Sequence, residues 1–284
     1  MGDAIGRRAA LLALALLATG AHAREEPLWE AGLGVFGLYL PDYRGSDQSR
    51  GYVFPIPYFV YRGDFLRADR DGVRGTFLHS ERVDLDLSLG ASLPVSSNKN
   101  LAREGMPNLK GSIEAGPALD VLLWALPDDR MKLELRVPVR AGMSIESSPR
   151  YTGLQLFPHL NLDVADPAGF AGWNLGLLAG PLFSDARHNR YFYEVDPAFA
   201  TPTRPAYQPG GGYAGMVFLT GISKRFPKFW VGAFARYDTL QGAVFEDSPL
   251  VRAKRYAGGG IAISWILGES SERVPVNEYG GRPR

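Results

Sequence analysis

Three histidines outside the amino-terminal segment are the residues of this sequence best suited to acid–base chemistry. They are His79, His159 and His188. A serine-type hydrolase needs a serine nucleophile, a histidine base and an acid or amide that orients the base. None of the three histidines lies in a recognisable nucleophile motif, so the sequence favours a protein without catalytic residues. A lipid hydrolase remains an alternative, and it requires His159 or His188 to lie beside a serine and an acid or amide.

Two carboxylates, Asp84 and Asp86, are separated by a single residue. On a strand they share one face with Cα atoms about 7 Å apart, so a metal ion or a pair of catalytic carboxylates is conceivable. Lysines and arginines on neighbouring strands favour ion pairs instead. The sequence contains no cysteine, which excludes thiolate ligands and disulfides, and we expect neither a metal nor a cofactor.

The glycines of residues 32–37 match the G-x-G-x-x-G pattern of dinucleotide-binding folds. In those folds the glycines form the turn between a strand and a helix, where backbone amides approach phosphate. Here the match lies inside a predicted strand, and Pro41 follows it in place of a helix. We therefore interpret the match as coincidental.

The elements that must position the charged residues are strands with strict alternation. In residues 83–93 and 131–141, apolar side chains alternate with polar or charged ones, as in a strand whose two faces meet different phases. Both segments have the length of a transmembrane strand. The alternation predicts that these charged residues face a barrel lumen: Asp84, Asp86, Glu114, Lys132, Glu134, Arg136, Arg140 and Arg236.

About twelve such strands can be assigned, and their connections alternate in length. Compact connections, such as residues 62–64, alternate with mostly longer ones, such as residues 94–110 and 184–212. Bacterial outer-membrane barrels have an even number of strands, short periplasmic turns and longer outer loops. The sequence therefore predicts an all-β fold, an antiparallel transmembrane β-barrel of about 12 strands. A soluble β-sandwich also alternates, but its strands are usually shorter.

The ends of the chain predict export and processing. Arg7 and Arg8 precede an apolar run, and the small-x-small triplet of residues 21–23 follows it, which is the layout of a secretory signal peptide. We expect a signal peptide over residues 1–23, the barrel over 24–267 and a polar tail over 268–284. Without the leader, 29 basic and 29 acidic residues remain, so no positive excess indicates nucleic acid. The expected location is the cell outer membrane, in contact with its lipids.

The predicted outer loop of residues 184–212 is rich in tyrosine and proline. Its aromatic residues Tyr191, Tyr193 and Tyr207 are of the type favoured at protein interfaces. Two interpretations stay open: a surface that binds a partner, or a loop that folds inward and plugs its own barrel. Aromatic residues near strand ends, including Trp29, Tyr52 and Trp265, suggest girdles at the membrane interfaces.

Several short segments in order along the chain carry a family resemblance. Besides the glycine-rich first strand they are Pro55-Ile56-Pro57-Tyr58, Tyr61-Arg62-Gly63-Asp64, Asn189-Arg190-Tyr191-Phe192-Tyr193, Tyr207-Gln208-Pro209, Ala235-Arg236-Tyr237 with Leu240, and Asp247-Ser248-Pro249. Together they resemble the MltA-interacting protein family, also called MipA/OmpV. The chain departs from that family at its end, because a polar tail follows Leu267 where the family finishes on a terminal aromatic residue.

The resemblance implies a scaffold of the outer membrane that brings a lytic transglycosylase together with a bifunctional murein synthase. Family members are also discussed as porin-like proteins or adhesins. The alternative function is a narrow porin-like channel for small solutes, which the inward charges Lys132, Arg136, Arg140 and Arg236 suggest. A barrel of twelve strands lies between filled eight-stranded barrels and open sixteen-stranded porins, so its size does not decide between the two.

Overall fold

The computed structural model describes residues 24–63, 66–69, 72–75, 78–80 and 82–276. The predicted signal peptide, residues 1–23, lies outside them. The strands are β1 (Arg24–Pro27), β2 (Trp29–Pro41), β3 (Ser49–Arg62), β4 (Leu66–Asp69), β5 (Gly72–Gly75), β6 (Leu78–His79), β7 (Val83–Ser92), β8 (Ser112–Ala125), β9 (Met131–Ser144), β10 (Tyr151–Leu156), β11 (His159–Ala165), β12 (Trp173–Ser184), β13 (Gly212–Arg225), β14 (Phe229–Thr239), β15 (Arg255–Glu269) and β16 (Arg273–Val276).

Fourteen of the described strands form one antiparallel sheet. Its order runs from β5 through β4, β3, β2, β15, β14, β13, β12, β10, β9, β8 and β7 to β6, with β11 between β9 and β12. The first and last strands of this path, β5 and β6, are separated by only two residues of the chain. β5 and β6 both lie beside β7, and β10 and β11 both pair with β9 and β12. Each of these two pairs occupies one position, so the strands form a closed ring of twelve positions. The predicted antiparallel barrel of about twelve strands is confirmed.

Side chains alternate between the two faces of the sheet. In β8, Ser112, Glu114 and Asp120 are buried, whereas Ile113 and Leu119 are exposed. Exposed apolar side chains along the strands suit a hydrocarbon environment. No helix within the described residues is long and apolar enough to cross a bilayer.

Aromatic side chains occupy both surfaces of the barrel. Trp29, Trp124 and Trp265 are exposed at strand ends, where interfacial aromatics are expected. Tyr52 differs from its prediction, because it lies on the inward face of β3 and lines a cavity. The sequence placed it near a strand end, but the alternation of β3 turns even-numbered side chains inward.

One predicted strand, residues 151–164, is interrupted. It divides into β10 and β11 at Phe157 and Pro158, because proline has no amide hydrogen to donate to a neighbouring strand. The inward alternation resumes with His159, which is buried.

The longer connections lie at one end of the barrel and pack together as a cap. They contain the helix α1 (Ala186–Tyr193) and short 3-10 turns at Ser97–Lys99, Leu101–Arg103 and Pro197–Phe199. With the adjoining ends of β12 and β13, their buried apolar residues form a continuous core: Tyr43, Val95, Ala102, Met106, Leu109, Leu182, Tyr193, Val195, Ala214, Val217, Leu240, Ala243, Phe245 and Leu250. By the rule of short periplasmic turns, the cap covers the extracellular mouth.

At the opposite end, the two ends of the described chain pair with each other. β1 and β16 form a separate two-stranded antiparallel sheet. Part of the predicted polar tail is therefore ordered as a strand, and β15 extends to Glu269. Val274 and Val276 are buried while Arg273 and Pro275 are exposed, so this short sheet also has an inner and an outer face.

Candidate functional site in the lumen and its cap

One part of the inner wall carries a connected set of ion pairs. Lys132 lies 3.4 Å from Glu134 and 3.5 Å from Asp163. Arg136 lies 2.8 Å from Glu134 and 3.5 Å from Asp120. All of these side chains are mostly buried, so each charge needs its partner to offset desolvation. The network cross-links β8, β9 and β11.

The remaining predicted lumen charges come from β7, β8, β9 and β14. Asp84 and Asp86 lie on the inward face of β7, and Asp86 is buried. Glu114 and Arg140 lie near the cap, where Arg140 Nε donates to Ser88 Oγ over 2.9 Å. Arg236 comes from β14 and donates to both carboxylate oxygens of Asp238, at 2.7 and 2.9 Å. The eight predicted residues thus form a network around Lys132 and Arg136, an aspartate pair on β7 and a group below the cap.

The aspartate pair shows no sign of a metal site. Within the described residues, no group of three or more histidine and acidic side chains is arranged to hold a metal ion.

Between the cap and the periplasmic end, the facing part of the inner wall is mostly apolar. It consists of inward side chains from β2, β3 and β12 to β15, including Phe36, Phe54, Leu178, Leu219, Trp230 and Phe234. The lumen is therefore divided between a charged wall and an apolar wall. A cavity of about 410 Å³ lies between them, with Arg136 and Asp163 on one side and Trp230 and Phe234 on the other.

Tyr193 is the centre of the cap core. Its ring stacks on Phe245 with centroids 3.8 Å apart and an interplanar angle of 9°, and only 3% of its surface is exposed. Its Oη donates to the carbonyl oxygen of Arg44 over 3.0 Å. The packing of Tyr193 favours the second interpretation of its loop, a segment folded against its own barrel.

The other two loop tyrosines lie at the edge of the cap. Tyr191 Oη donates to the carbonyl oxygen of Lys110 over 2.9 Å, and Tyr207 Oη donates to that of Val244 over 3.4 Å. Both rings are half-buried. They tie separate loops together and keep part of their surface in solvent.

An arginine from the first outer loop anchors the cap to the barrel wall. Arg44 Nε donates to Asp238 Oδ2 over 2.8 Å, and Tyr256 Oη donates to the same oxygen over 2.6 Å. Burial lowers the pKa of Arg44, but the charge of Asp238 and the hydrogen bond to it outweigh burial and raise this pKa above its ordinary value. Arg44 is therefore a permanent cation below the cap. Sequence reasoning missed it, because nothing local marks a loop arginine as buried.

The two buried histidines have no serine among their hydrogen-bond partners in the described chain. His159 Nδ1 lies 2.7 Å from the carbonyl oxygen of Phe157. His188 Nε2 lies 2.7 Å from Gln155 Nε2. Burial and the nearby charge of Arg44 lower the pKa of His188 to about 4, so its ring is neutral near pH 7. Nothing in this geometry favours the hydrolase alternative.

At the periplasmic end, two glutamates and two arginines form a buried cluster. Glu30 lies 3.0 Å from both Arg62 and Arg225. Glu26 of β1 lies 3.3 Å from Arg225 and 3.8 Å from Arg62. Because β3 and β13 are four positions apart in the ring, the cluster reaches across the end of the barrel. It holds the β1–β16 sheet to the inner wall.

A closed ring of strands with an apolar outside, a charged wall inside and long loops at one end defines an outer-membrane β-barrel. A model of the family described as MltA-interacting protein MipA matches residues 33–267. The chain belongs to this family, as its short motifs predicted, and its outer-membrane location is confirmed.

Two curated relatives are outer-membrane proteins of vibrios. Outer membrane protein OmpV of Vibrio cholerae serotype O1 is 24% identical over 265 residues, covering 91% of each chain. Outer membrane protein Omp26La of Vibrio anguillarum is 25% identical over 249 residues, covering 86% of this chain and 85% of the relative. The similarity therefore extends over nearly the whole barrel.

The solved structures to which this chain is similar include outer-membrane proteins. They include a bacterial polysaccharide outer membrane secretin (10% identity, TM-score 0.39, 84% of this chain and 99% of that one). The monoaromatic hydrocarbon channel CymD is 10% identical with a TM-score of 0.33, over 86% and 90% of the chains. These low TM-scores carry no argument about function.

Proposed function

We propose that this protein is a non-catalytic scaffold of the outer membrane. In this role it holds a lytic transglycosylase, and with it a bifunctional murein synthase, at the periplasmic face. The description of the family as MltA-interacting supports the first partner. The observation that carries the proposal is the cap, whose core includes the fully buried side chains of Leu240, Phe245 and Leu250. A barrel whose outer mouth is filled in this way presents surfaces rather than an open pore.

The periplasmic surface available for docking is the outer face of the β1–β16 sheet together with the short turns. Arg273 and Pro275 lie on that face. Capture of the tagged, full-length protein from a detergent extract tests the proposal. We expect it to recover a murein lytic transglycosylase. Arg273→Glu should reduce recovery, whereas Asp247→Lys, a charge reversal at an exposed position of the cap, should not. Absence of both murein enzymes from the wild-type capture contradicts the scaffold.

A narrow channel is the second candidate, and the divided lumen with its cavity of about 410 Å³ favours it. Under this proposal Lys132, Arg136, Arg140 and Arg236 set the selectivity for small solutes. A steady current through the purified protein, altered by Arg140→Gln, supports the channel. Failure to observe a reproducible current excludes it.

A further inference from the structure

A second cavity, of about 340 Å³, lies directly below the cap. His188, Phe192 and Tyr193 of α1 line it together with Phe245, and the upper parts of the barrel strands provide its walls. Its volume is within the range of small-molecule sites, which begins at roughly 300 Å³. The cavity is thus enclosed by the same loops that fill the mouth of the barrel.

Two arginines enter this cavity from different parts of the ring. Arg140 of β9 and Arg236 of β14 are four strand positions apart, and they lie close enough for each to feel the other's charge. In the described chain, Arg140 uses only Nε in a hydrogen bond, and Arg236 uses Nε and Nη2. Both terminal nitrogens of Arg140 and Nη1 of Arg236 thus make no hydrogen bond with described residues.

The charges around the cavity sum to an excess of one positive charge. The carboxylates are Asp42, which pairs with Arg50 at 2.7 Å, Asp238, which Arg44 and Arg236 share, and Glu114. The side chains of Glu114 and Arg140 both lie next to Gly90. Asp42, Glu114, Arg44, Arg140 and Arg236 line the cavity, and Asp238 and Arg50 are ion-pair partners of lining residues. Two carboxylates therefore oppose three arginines at the lining, or three oppose four with the partners included, and His188 adds no charge near pH 7. An excess cation in a buried site favours an anionic ligand.

Two buried donors at the cavity wall also lack an acceptor. Arg44 Nη2 and His188 Nδ1 have no hydrogen-bond partner among the described residues. His188 Nε2 accepts from Gln155, so in the neutral ring Nδ1 carries the hydrogen. Buried donors without acceptors are unfavourable, and ligand oxygens would satisfy them. The unpartnered donors and the excess positive charge point to the same kind of ligand.

Much of the remaining lining is apolar, with Phe157, Leu178, Val217, Leu219, Phe192 and Phe245 as its main apolar members. Such a surface binds the hydrocarbon or aromatic part of a ligand. We propose that this cavity binds a small organic anion, a carboxylate with an apolar body. The carboxylate lies between Arg140 and Arg236, and the apolar body lies against the leucines and phenylalanines. This site does not depend on the scaffold role.

Calorimetric titration of the full-length protein in a non-ionic detergent tests the site. The probe is 3-phenylpropanoate, and its neutral amide is the matched ligand of the same shape. We expect the carboxylate to bind at least about tenfold more tightly than the amide, as charge-assisted hydrogen bonds imply. Equal affinities, or no binding of the carboxylate at millimolar concentration, overturn the proposal.

Variants separate the site from general partitioning into detergent. Arg140→Gln should weaken carboxylate binding by roughly tenfold while the amide binds as before, which also shows that the cavity is intact. Glu114→Gln removes a competing carboxylate and should tighten binding of 3-phenylpropanoate. Arg130→Gln is the matched control, since Arg130 is an exposed residue of a short turn. Unchanged binding in Arg140→Gln, or equal losses in Arg140→Gln and Arg130→Gln, contradicts the site.

Discussion

At the scale of single residues, buried charges in this barrel are held by opposite charges from distant parts of the chain. Glu30 has a fully buried side chain and is shared by Arg62 and Arg225. It also accepts a hydrogen bond from Tyr58 Oη over 3.1 Å. Together with Glu26, this carboxylate balances the two guanidinium groups at the periplasmic end.

Removing this carboxylate should destabilise the barrel strongly. Glu30→Gln removes the carboxylate nearest to both guanidinium groups and leaves Glu26 to offset them, and breaking buried pairs in this way costs about 3–5 kcal/mol. Urea unfolding in lipid vesicles measures the loss. Glu272→Gln is the matched control, because Glu272 is exposed and this substitution should change stability by less than about 0.5 kcal/mol. Equal effects of the two substitutions would show that the cluster is not structural.

His188 should make the stability of the cap depend on pH. Its folded pKa is about 4 and its ordinary value is 6.5, because burial and the charge of Arg44 lower this pKa against the opposing charge of Asp185. An opened cap takes up the proton first, so the contribution is complete above pH 6.5 and decreases as the pH falls towards 4. The loss is at most about 1.4 kcal/mol per pH unit.

Hydrogen exchange of residues 186–193, corrected for the intrinsic exchange rate, checks this pH dependence. We expect protection to fall between pH 6.5 and pH 4 in the wild type and to change less in His188→Gln. Identical profiles for the two proteins contradict the assignment to His188.

The sequence could predict which charges face inward, but not all of their partners. Strand alternation alone placed Lys132 and Arg136 on one face. Local pattern could not predict that Arg44 binds Asp238, because the two residues are 194 positions apart. The burial of a loop arginine depends on how the loops pack, and packing has no short-range signature in the sequence.

At the scale of elements, the start of α1 is set by its N-cap residue, Asp185, and by a glycine of the strand beneath it. Asp185 caps the helix, since its Oδ1 accepts from the His188 amide over 2.7 Å. Gly153 of β10 has φ +122°, and an added Cβ there would overlap Asp185 Oδ1 and the His188 nitrogen. The bulge at Gly153 thus provides the space in which α1 begins.

A side chain at Gly153 should displace the helix and loosen the cap. Gly153→Ala combines unfavourable backbone geometry with overlap, and we expect a local cost of about 1–3 kcal/mol. Limited proteolysis between residues 184 and 212 should become faster. Gly105→Ala is the matched control, because Gly105 also has a positive φ, +77°, but open space around it. Equal proteolysis of both variants would mean that the contact with α1 is unimportant.

Strands were more predictable than the helix and the terminal sheet. A period of two over ten or more residues is visible in β7 and β9 without knowledge of the fold. α1 has only eight residues and an irregular apolar pattern, and its one clear signal is Asp185 as an N-cap. β1 and β16 have four residues each. Their pairing requires the closed ring, which brings β2 and β15 together.

At the scale of the whole molecule, the cap fills the extracellular mouth of the barrel. Ion pairs cross the barrel at its periplasmic end. The cap contributes an apolar core and the anchor from Arg44 to Asp238. The cluster of Glu26, Glu30, Arg62 and Arg225 ties the β1–β16 sheet to the wall. Under the proposed function, the barrel works through its surfaces rather than by conducting solutes freely.

Single-channel recording of the purified protein in planar bilayers tests this claim most directly. A general porin reconstituted in the same way shows that insertion and recording succeed. We expect no steady current from the wild-type protein, because the cap obstructs the extracellular mouth and the ion-pair cluster obstructs the periplasmic one. A stable, ion-selective current from the intact wild-type barrel would contradict it.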